Sequence, residues 1–227
     1  MRSYLLDCSE CRQTEGRQQL LLQMEGKCDD TRREKSNRIR TEEGKLVSLA
    51  AGMLLQKIQR DFVNGEPLEG NWTGTVESLL EELDVPCQIP YRIGEHGKPY
   101  FAKLPICFSL SHSGEYVFAV ADHHEVGVDI QKKDRDAICR VARRFYAQEE
   151  MDDSAHLNET ERMDYLYRLW TMKEAYGKLT GQGVAQCLSL PVEKLRGVSF
   201  SAVQAPEGYE ISICNYLSGE EIRKGNG

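Results

Sequence analysis

The chain has 227 residues, 40% hydrophobic and 29% charged, so it can bury a core as one large domain or two small ones. It has no run of the roughly 18 apolar residues that a membrane span needs, nor an early apolar stretch typical of signal peptides, so we expect a cytoplasmic protein without membrane contact. The formal net charge of −7 argues against broad nucleic-acid binding, which depends on a basic surface.

Hydrophobic periodicity and turn residues predict the elements of the first half. Tyr4 to Leu6 reads as a short strand, and residues 38–58 as a helix with apolar positions at helical spacing. The Gly and Pro content predicts a loop over 65–71 and short extended segments between 86 and 99, with a helix over 76–83 between them.

A local excess of basic residues lies where the first of these helices begins. The segment contains Arg32, Arg33, Lys35, Arg38, Arg40 and Lys45 against Glu34, Glu42 and Glu43. Such a patch could hold phosphates or an acidic partner, or it could be only the solvated face of a helix.

The second half alternates predicted strands and helices. Strands are expected over 106–110, 116–121 and 126–131, the last two forming a hairpin around the turn at 122–125. Helices follow at 136–145 and 159–179, the second ended by a glycine cap at Gly181. A closing hairpin is expected between 198–204 and 209–214, before a polar tail that we expect to be frayed from residue 219.

Cysteine usage indicates neither a disulfide framework nor a metal centre. The eight cysteines are Cys8, Cys11, Cys28, Cys87, Cys107, Cys139, Cys187 and Cys214. Cys8 and Cys11 have a spacing that could indicate redox chemistry or zinc, but no second Cys or His pair completes such a site. We expect reduced thiols.

Oxygen-bearing side chains recur at positions that could form a magnesium site. In the strand over 126–131, alternation places Asp129 and Gln131 on one face, opposite the apolar positions. On the long helix, Trp170, Glu174 and Lys178 lie near one stripe, where Glu and Lys could also be only a surface pair of a few tenths of a kcal/mol. Asp129, Gln131 and Glu174 together offer the oxygen donors that Mg2+ takes.

Four ordered motifs in this region resemble those of the 4'-phosphopantetheinyl transferases. Gly127 to Ile130 is similar to the family's Gly-Ile/Val-Asp motif, and Trp170 to Lys178 to its Trp-x-x-Lys-Glu-x-x-x-Lys motif. Gly97 to Pro99 and Phe108 to Gly114 resemble two further elements of the family. The first 90 residues match only loosely, through the basic stretch.

The resemblance implies a fold and an activity. Chain length favours the larger surfactin-type class, an α+β pseudo-dimer of two similar halves, over the small trimeric synthases. We expect an N-terminal half over 1–105 with coenzyme A phosphate contacts, and a C-terminal half over 106–227 with the metal and transferase motifs. The implied reaction transfers phosphopantetheine from coenzyme A to a serine of an acyl or peptidyl carrier protein, with Mg2+ or alternatively Mn2+, by a monomeric enzyme.

The resemblance also implies roles for individual residues. Asp129 and Glu174 are implied metal ligands, and Lys178 the contact to pyrophosphate. Lys98 and His112 match coenzyme A contacts, with His112 at the 3'-phosphate and Ser111 nearby.

Two further assignments complete the implied site. Glu150 matches the catalytic carboxylate that follows an Arg-Phe-Phe-like segment, although Glu149 could be the aligned residue. Arg38, Arg40 and Lys45 are expected at the nucleotide phosphates, where the planar guanidinium suits phosphate.

Gln131 departs from the family pattern, because many relatives have a second strand carboxylate there. An amide still offers an oxygen, but it removes one negative charge, so metal affinity should fall. Two other functions stay open on the sequence: a metal-dependent hydrolase of coenzyme A or a nucleotide pyrophosphate, and a non-catalytic module that binds coenzyme A or a carrier.

Overall fold

The computed structural model describes residues 1–12, 16–83, 91–94 and 97–217. They group into two compact units, one of Met1–Glu95 with Pro99–His123 and one of His96–Lys98 with His124–Gly227. Both units mix helices and strands, so the α+β class expected from the sequence is confirmed.

The first unit is built from six strands and four helices in its described part. The strands are β1 (Arg2–Asp7), β2 (Gly70–Thr75), β3 (Tyr91–Ile93), β4 (Pro99–Phe101), β5 (Cys107–Ser113) and β6 (Tyr116–Asp122). The helices are α1 (Arg17–Gly26), α2 (Asp30–Asn37), α3 (Glu42–Val63) and α4 (Val76–Glu82).

A four-stranded sheet in the order β2-β1-β6-β5 forms the centre of this unit. β1 is parallel to β2 and antiparallel to β6. Thr41 caps the start of the 22-residue α3, since its side chain accepts a hydrogen bond from the amide of Gly44. The helix packs Leu49, Met53 and Leu54 into the core. Burial of this face stabilises the helix on the sheet.

The second unit has three strands and three helices in its described part. The strands are β7 (Val126–Lys132), β8 (Val198–Ala202) and β9 (Tyr209–Tyr216), in the order β7-β9-β8. The helices are α5 (Arg135–Phe145), α6 (Gln148–Ala155) and α7 (Glu159–Thr180). α7 packs on β7 and β9.

Gly127 lets α7 approach β7 closely. A Cβ atom at this position would lie 1.9 Å from the carbonyl oxygen of Ala175 and 2.5 Å from the backbone nitrogen of Leu179. A glycine is therefore required there for packing, which gives the Gly-Val-Asp motif a structural reason. Gly181 ends α7 with φ of 72°, as the cap prediction expected.

One prediction made from the sequence is wrong, and one predicted helix has different bounds. The helix expected over 38–58 is present as α3 with shifted bounds, because Thr41 caps its start and it continues to Val63. β6 and β7 do not form a hairpin, since β6 pairs with β1 and β5 whereas β7 pairs with β9. The main boundary between the two compact units follows His123, whereas the sequence analysis expected a division after residue 105.

Other expectations have mixed outcomes. The closing hairpin is confirmed as β8 and β9, while α1, α2, β2 and α6 were not predicted. None of the seven described cysteines is in a disulfide; Cys87 and the tail from residue 219 lie outside the described residues. Within the described residues, no helix is long and apolar enough to cross a membrane.

Candidate active site

Asp129 lies at the centre of a polar cluster between β7 and α7. Its side chain is almost completely buried, with the whole residue 1% exposed. The Nζ of Lys178 donates to its Oδ1 at 2.7 Å, and the Nε2 of Gln131 donates to its Oδ2 at 3.0 Å. The structure thus brings Asp129 of the Gly-Val-Asp motif together with Lys178 of the motif on α7. It also confirms that Asp129 and Gln131 share one strand face.

Glu174 adds a second carboxylate to this cluster. Burial, together with the nearby charge of Asp129, raises its pKa to about 7, although Lys178 acts in the opposite direction. Two carboxylates therefore share one ammonium group. This excess of acidic oxygen is the electrostatic condition under which a bound cation becomes favourable.

The donor set is the basis for asking whether a metal ion fits. Within the described ranges, no group of three or more His, Cys, Asp or Glu residues is arranged to hold a metal. The cluster here has two carboxylates and the amide of Gln131 instead. Such all-oxygen donors suit Mg2+, which commonly takes one or two carboxylates and completes its shell with water and substrate phosphates.

Glu150 has a different environment from that of Asp129. It lies in the first turn of α6, and its Oε2 accepts from the amide of Ala147 at 3.2 Å and from the Nζ of Lys173 at 2.6 Å. Its Oε1 accepts from the amide of Val192 at 3.0 Å. The neighbouring Glu149 is exposed and pairs with Lys194 at 3.2 Å.

The sequence analysis assigned no role to Lys173, although this residue belongs to the motif from Trp170 to Lys178. It is fully buried, and burial lowers its pKa although Glu150 opposes that shift. Its position next to Glu174 in the motif was the only sequence signal, because its partners come from α6 and from the segment after α7.

Lys98 of the Gly-Lys-Pro element lies in the second unit. Its Nζ donates to the carbonyl oxygens of Leu179 at 3.2 Å and Val126 at 3.4 Å, and it pairs with Glu125. These contacts connect the end of α7 to the start of β7. A cation at a helix C-terminus is also favoured by the helix dipole.

The other predicted coenzyme A contacts lie in the first unit. Ser111 is buried and His112 exposed on β5, so alternation gives them opposite faces. Arg38 follows α2, Arg40 lies in the link to α3, and Lys45 lies in the first turns of α3. Both arginines are exposed. The basic segment from Arg32 to Lys45 therefore begins in α2 and ends in α3.

Comparison with known proteins identifies the family. The sequence model of the 4'-phosphopantetheinyl transferase superfamily matches residues 125–217. The chain is 34% identical over 144 residues to a 4'-phosphopantetheinyl transferase of Bacillus subtilis, covering 61% of this chain and 62% of the relative. It is 37% identical over 120 residues to the 4'-phosphopantetheinyl transferase Sfp of Bacillus subtilis (strain 168), covering 52% and 51%.

A third relative is matched over most of its length. The 4'-phosphopantetheinyl transferase AcpT of Escherichia coli (strain K12) is 30% identical over 174 residues, covering 75% of this chain and 87% of the relative. The chain belongs to the 4'-phosphopantetheinyl transferase superfamily. It covers less than two thirds of the length of the two Bacillus relatives.

Proposed function

We propose that the chain transfers the 4'-phosphopantetheine moiety of coenzyme A to a serine of an acyl or peptidyl carrier protein. The observation that carries this proposal is the cluster of Asp129, Gln131, Glu174 and Lys178 on β7 and α7. Family membership and the printed names of the relatives support the same reaction class.

Asp129, Glu174 and Gln131 would hold Mg2+, with Mn2+ as an alternative. When bound, the metal ion would neutralise the negative charge that develops on the pyrophosphate. Lys178 would also neutralise this charge. Its ammonium has three donors, so it can keep its hydrogen bond to Asp129 while it donates to a phosphate oxygen.

In the proposed reaction, the serine hydroxyl oxygen forms a bond to the β-phosphorus of coenzyme A. The bond from this phosphorus to the bridging oxygen breaks, and adenosine 3',5'-bisphosphate leaves with that oxygen. The serine proton goes to a carboxylate or to water. The motif resemblance alone would assign this step to Glu150, but the burial of Glu150 and its ion pair with Lys173 do not favour it as the acceptor. The protein's main contribution is then positioning and charge neutralisation.

Binding of coenzyme A is proposed to use the residues that the motif resemblance implies. His112, with Ser111 nearby, would contact the 3'-phosphate, and Lys98 would also contact coenzyme A. Arg38, Arg40 and Lys45 would contact the nucleotide phosphates, in keeping with the exposed basic side chains before α3.

The organisation of the whole enzyme is part of the proposal. Each unit carries a 22-residue helix on an antiparallel strand pair, which supports the expected pseudo-dimer of two similar halves. The first half would supply phosphate contacts and the second the transferase motifs, in a monomeric cytoplasmic protein.

The test is the intact mass of a panel of apo carrier proteins after incubation with the chain, coenzyme A and Mg2+. Transfer predicts a gain of one phosphopantetheine on at least one carrier. Free phosphopantetheine with no modified carrier would instead indicate hydrolysis, and tight coenzyme A binding without either product would indicate a binding module.

A further inference from the structure

Glu150 and Lys173 form an ion pair that is withdrawn from water. The Lys173 side chain is 0% exposed and that of Glu150 5% exposed, with 2.6 Å between Nζ and Oε2. The ammonium also lies 4.5 Å from the ring centroid of Tyr146, a cation–π contact. Both partners are thus removed from solvent and held by each other.

The pair connects three parts of the second unit. Besides Glu150, Lys173 donates to the carbonyl oxygen of Leu188 at 2.8 Å. Glu150 in turn accepts from the amides of Ala147 and Val192. Because Leu188 and Val192 lie in the segment after α7, the pair fixes this segment and the start of α6 to α7.

The surroundings of Glu150 do not suit a proton acceptor. A general base has to reach the hydroxyl directly or through one water, whereas Glu150 is 4% exposed and each of its oxygens accepts a hydrogen bond from the protein. Protonation would also leave the buried ammonium of Lys173 without its counter-charge, which is costly in a protein interior.

We infer that Glu150 and Lys173 are positioning residues for the transfer site, with Glu150 acting through Lys173 rather than on the substrate. Lys173 immediately precedes Glu174 on α7, so the contacts that fix the rotation of Lys173 about the helix axis also fix the direction of Glu174. This inference rests on the proposed function, because positioning is defined relative to the proposed metal cluster.

Replacing either member of the ion pair should disturb the cluster of Asp129, Gln131, Glu174 and Lys178 without changing any of its residues. Glu150→Gln and Lys173→Met each leave one buried charge unpaired. We expect kcat to fall about ten- to a hundredfold, since small displacements of catalytic groups have effects of this size. The KM for coenzyme A should change little, and Mn2+ measured by electron paramagnetic resonance should bind the metal-free protein more weakly.

The double variant Glu150→Gln/Lys173→Met separates positioning from proton transfer. It removes both charges and leaves none unpaired, so positioning predicts recovery of kcat and Mn2+ affinity to within about threefold of the wild type. Its pH–rate profile should match that of the wild type. Loss of a general base predicts no recovery, because the amide cannot accept the proton in either background.

Glu193→Gln/Lys194→Met is the matched control. It makes the same chemical changes at two exposed positions in the same segment, so kcat and Mn2+ affinity should stay at wild-type values. Changes as large as those of Glu150→Gln would overturn the inference, since they would assign the effect to the segment and not to the buried pair.

The remaining outcomes also decide the matter. A fall in melting temperature with unchanged kcat and Mn2+ affinity would make the pair merely structural, and a double variant that stays inactive or does not fold would contradict positioning. If the wild type modifies no carrier, the proposed function fails. The Mn2+ and melting measurements would then still test whether the pair positions the carboxylate cluster.

Discussion

Asp129 combines near-complete burial with polar contacts to both of its carboxylate oxygens. Lys178 and Gln131 occupy those oxygens, and burial together with the charge of Asp129 raises the pKa of the nearby Glu174 carboxyl. A second carboxylate beside a buried one is unfavourable, because the two negative charges repel each other. The proposed site for a divalent cation would account for the arrangement.

Replacing either carboxylate by its amide should remove transfer. We expect Asp129→Asn and Glu174→Gln each to lower kcat by at least about a hundredfold, because each removes a negative charge from the proposed metal site while side-chain shape is kept. Initial rates of carrier modification measure the effect, and circular dichroism checks that the fold is retained. Near wild-type turnover at ordinary Mg2+ would remove that residue from the site.

Gln131 should tune metal affinity, since its amide contacts Asp129 at 3.0 Å. Gln131→Glu adds a negative charge next to Asp129 at nearly the same side-chain length, so the half-saturating Mg2+ concentration should fall. Gln131→Leu removes the oxygen and should raise that concentration. The measurement is a Mg2+ titration of the transfer rate for all three forms, and superimposable curves would show that Gln131 does not contact the metal.

His112 is exposed on β5 and is proposed to contact the 3'-phosphate. His112→Ala should raise the KM for coenzyme A more than the KM for dephospho-coenzyme A, which lacks that phosphate. Loss of binding to a remote group appears in KM with little change in kcat. Steady-state kinetics with both donors are the test, and an equal effect on both would exclude this role.

At the scale of elements, the close approach of α7 to β7 depends on Gly127. Gly127→Ala would place a methyl group 1.9 Å from the carbonyl oxygen of Ala175, so the strand and helix would have to separate. We expect a loss of about 3 kcal/mol in the free energy of unfolding, together with reduced transfer. Urea denaturation measures the first quantity.

Gly26→Ala is the control for this experiment, because a Cβ at Gly26 meets no atom within 4 Å. Its free energy of unfolding should stay within about 1 kcal/mol of the wild type, with any change toward greater stability. Equal stability of the two alanine variants would contradict the close-packing account of the Gly-Val-Asp motif.

Local patterns predicted those parts of the site that depend on one element. Strand alternation was enough to place Asp129 and Gln131 on one face, and helical spacing with a glycine cap was enough to define most of α7. Pairing between distant segments was beyond such patterns. The turn after Asp122 has the composition of a hairpin turn, yet β7 pairs with β9, because its partner is chosen by tertiary packing.

The Glu150–Lys173 pair shows the same limit at the scale of side chains. Its members are 23 residues apart, and Val192 lies a further 19 residues on from Lys173 in sequence numbering. As sequence features, Glu150 and Glu149 both look like solvated charges at a helix end. Only the fold separates them, since Glu150 is buried and Glu149 exposed.

At the scale of the whole molecule, family membership and the site support one reaction. The four-stranded sheet with α3 and the three-stranded sheet with α7 form separate compact units, and the proposed roles divide between them. An acidic chain, with a net charge of −7, would need local basic or apolar contacts to dock an acidic carrier protein.

The most direct measurement quantifies both products of one reaction. After incubation with coenzyme A, Mg2+ and a carrier that accepts the arm, we expect holo-carrier and adenosine 3',5'-bisphosphate in equal amounts with the wild type, and neither with Asp129→Asn. Bisphosphate without holo-carrier, or equal product formation by Asp129→Asn, would contradict the account of a transferase centred on β7 and α7.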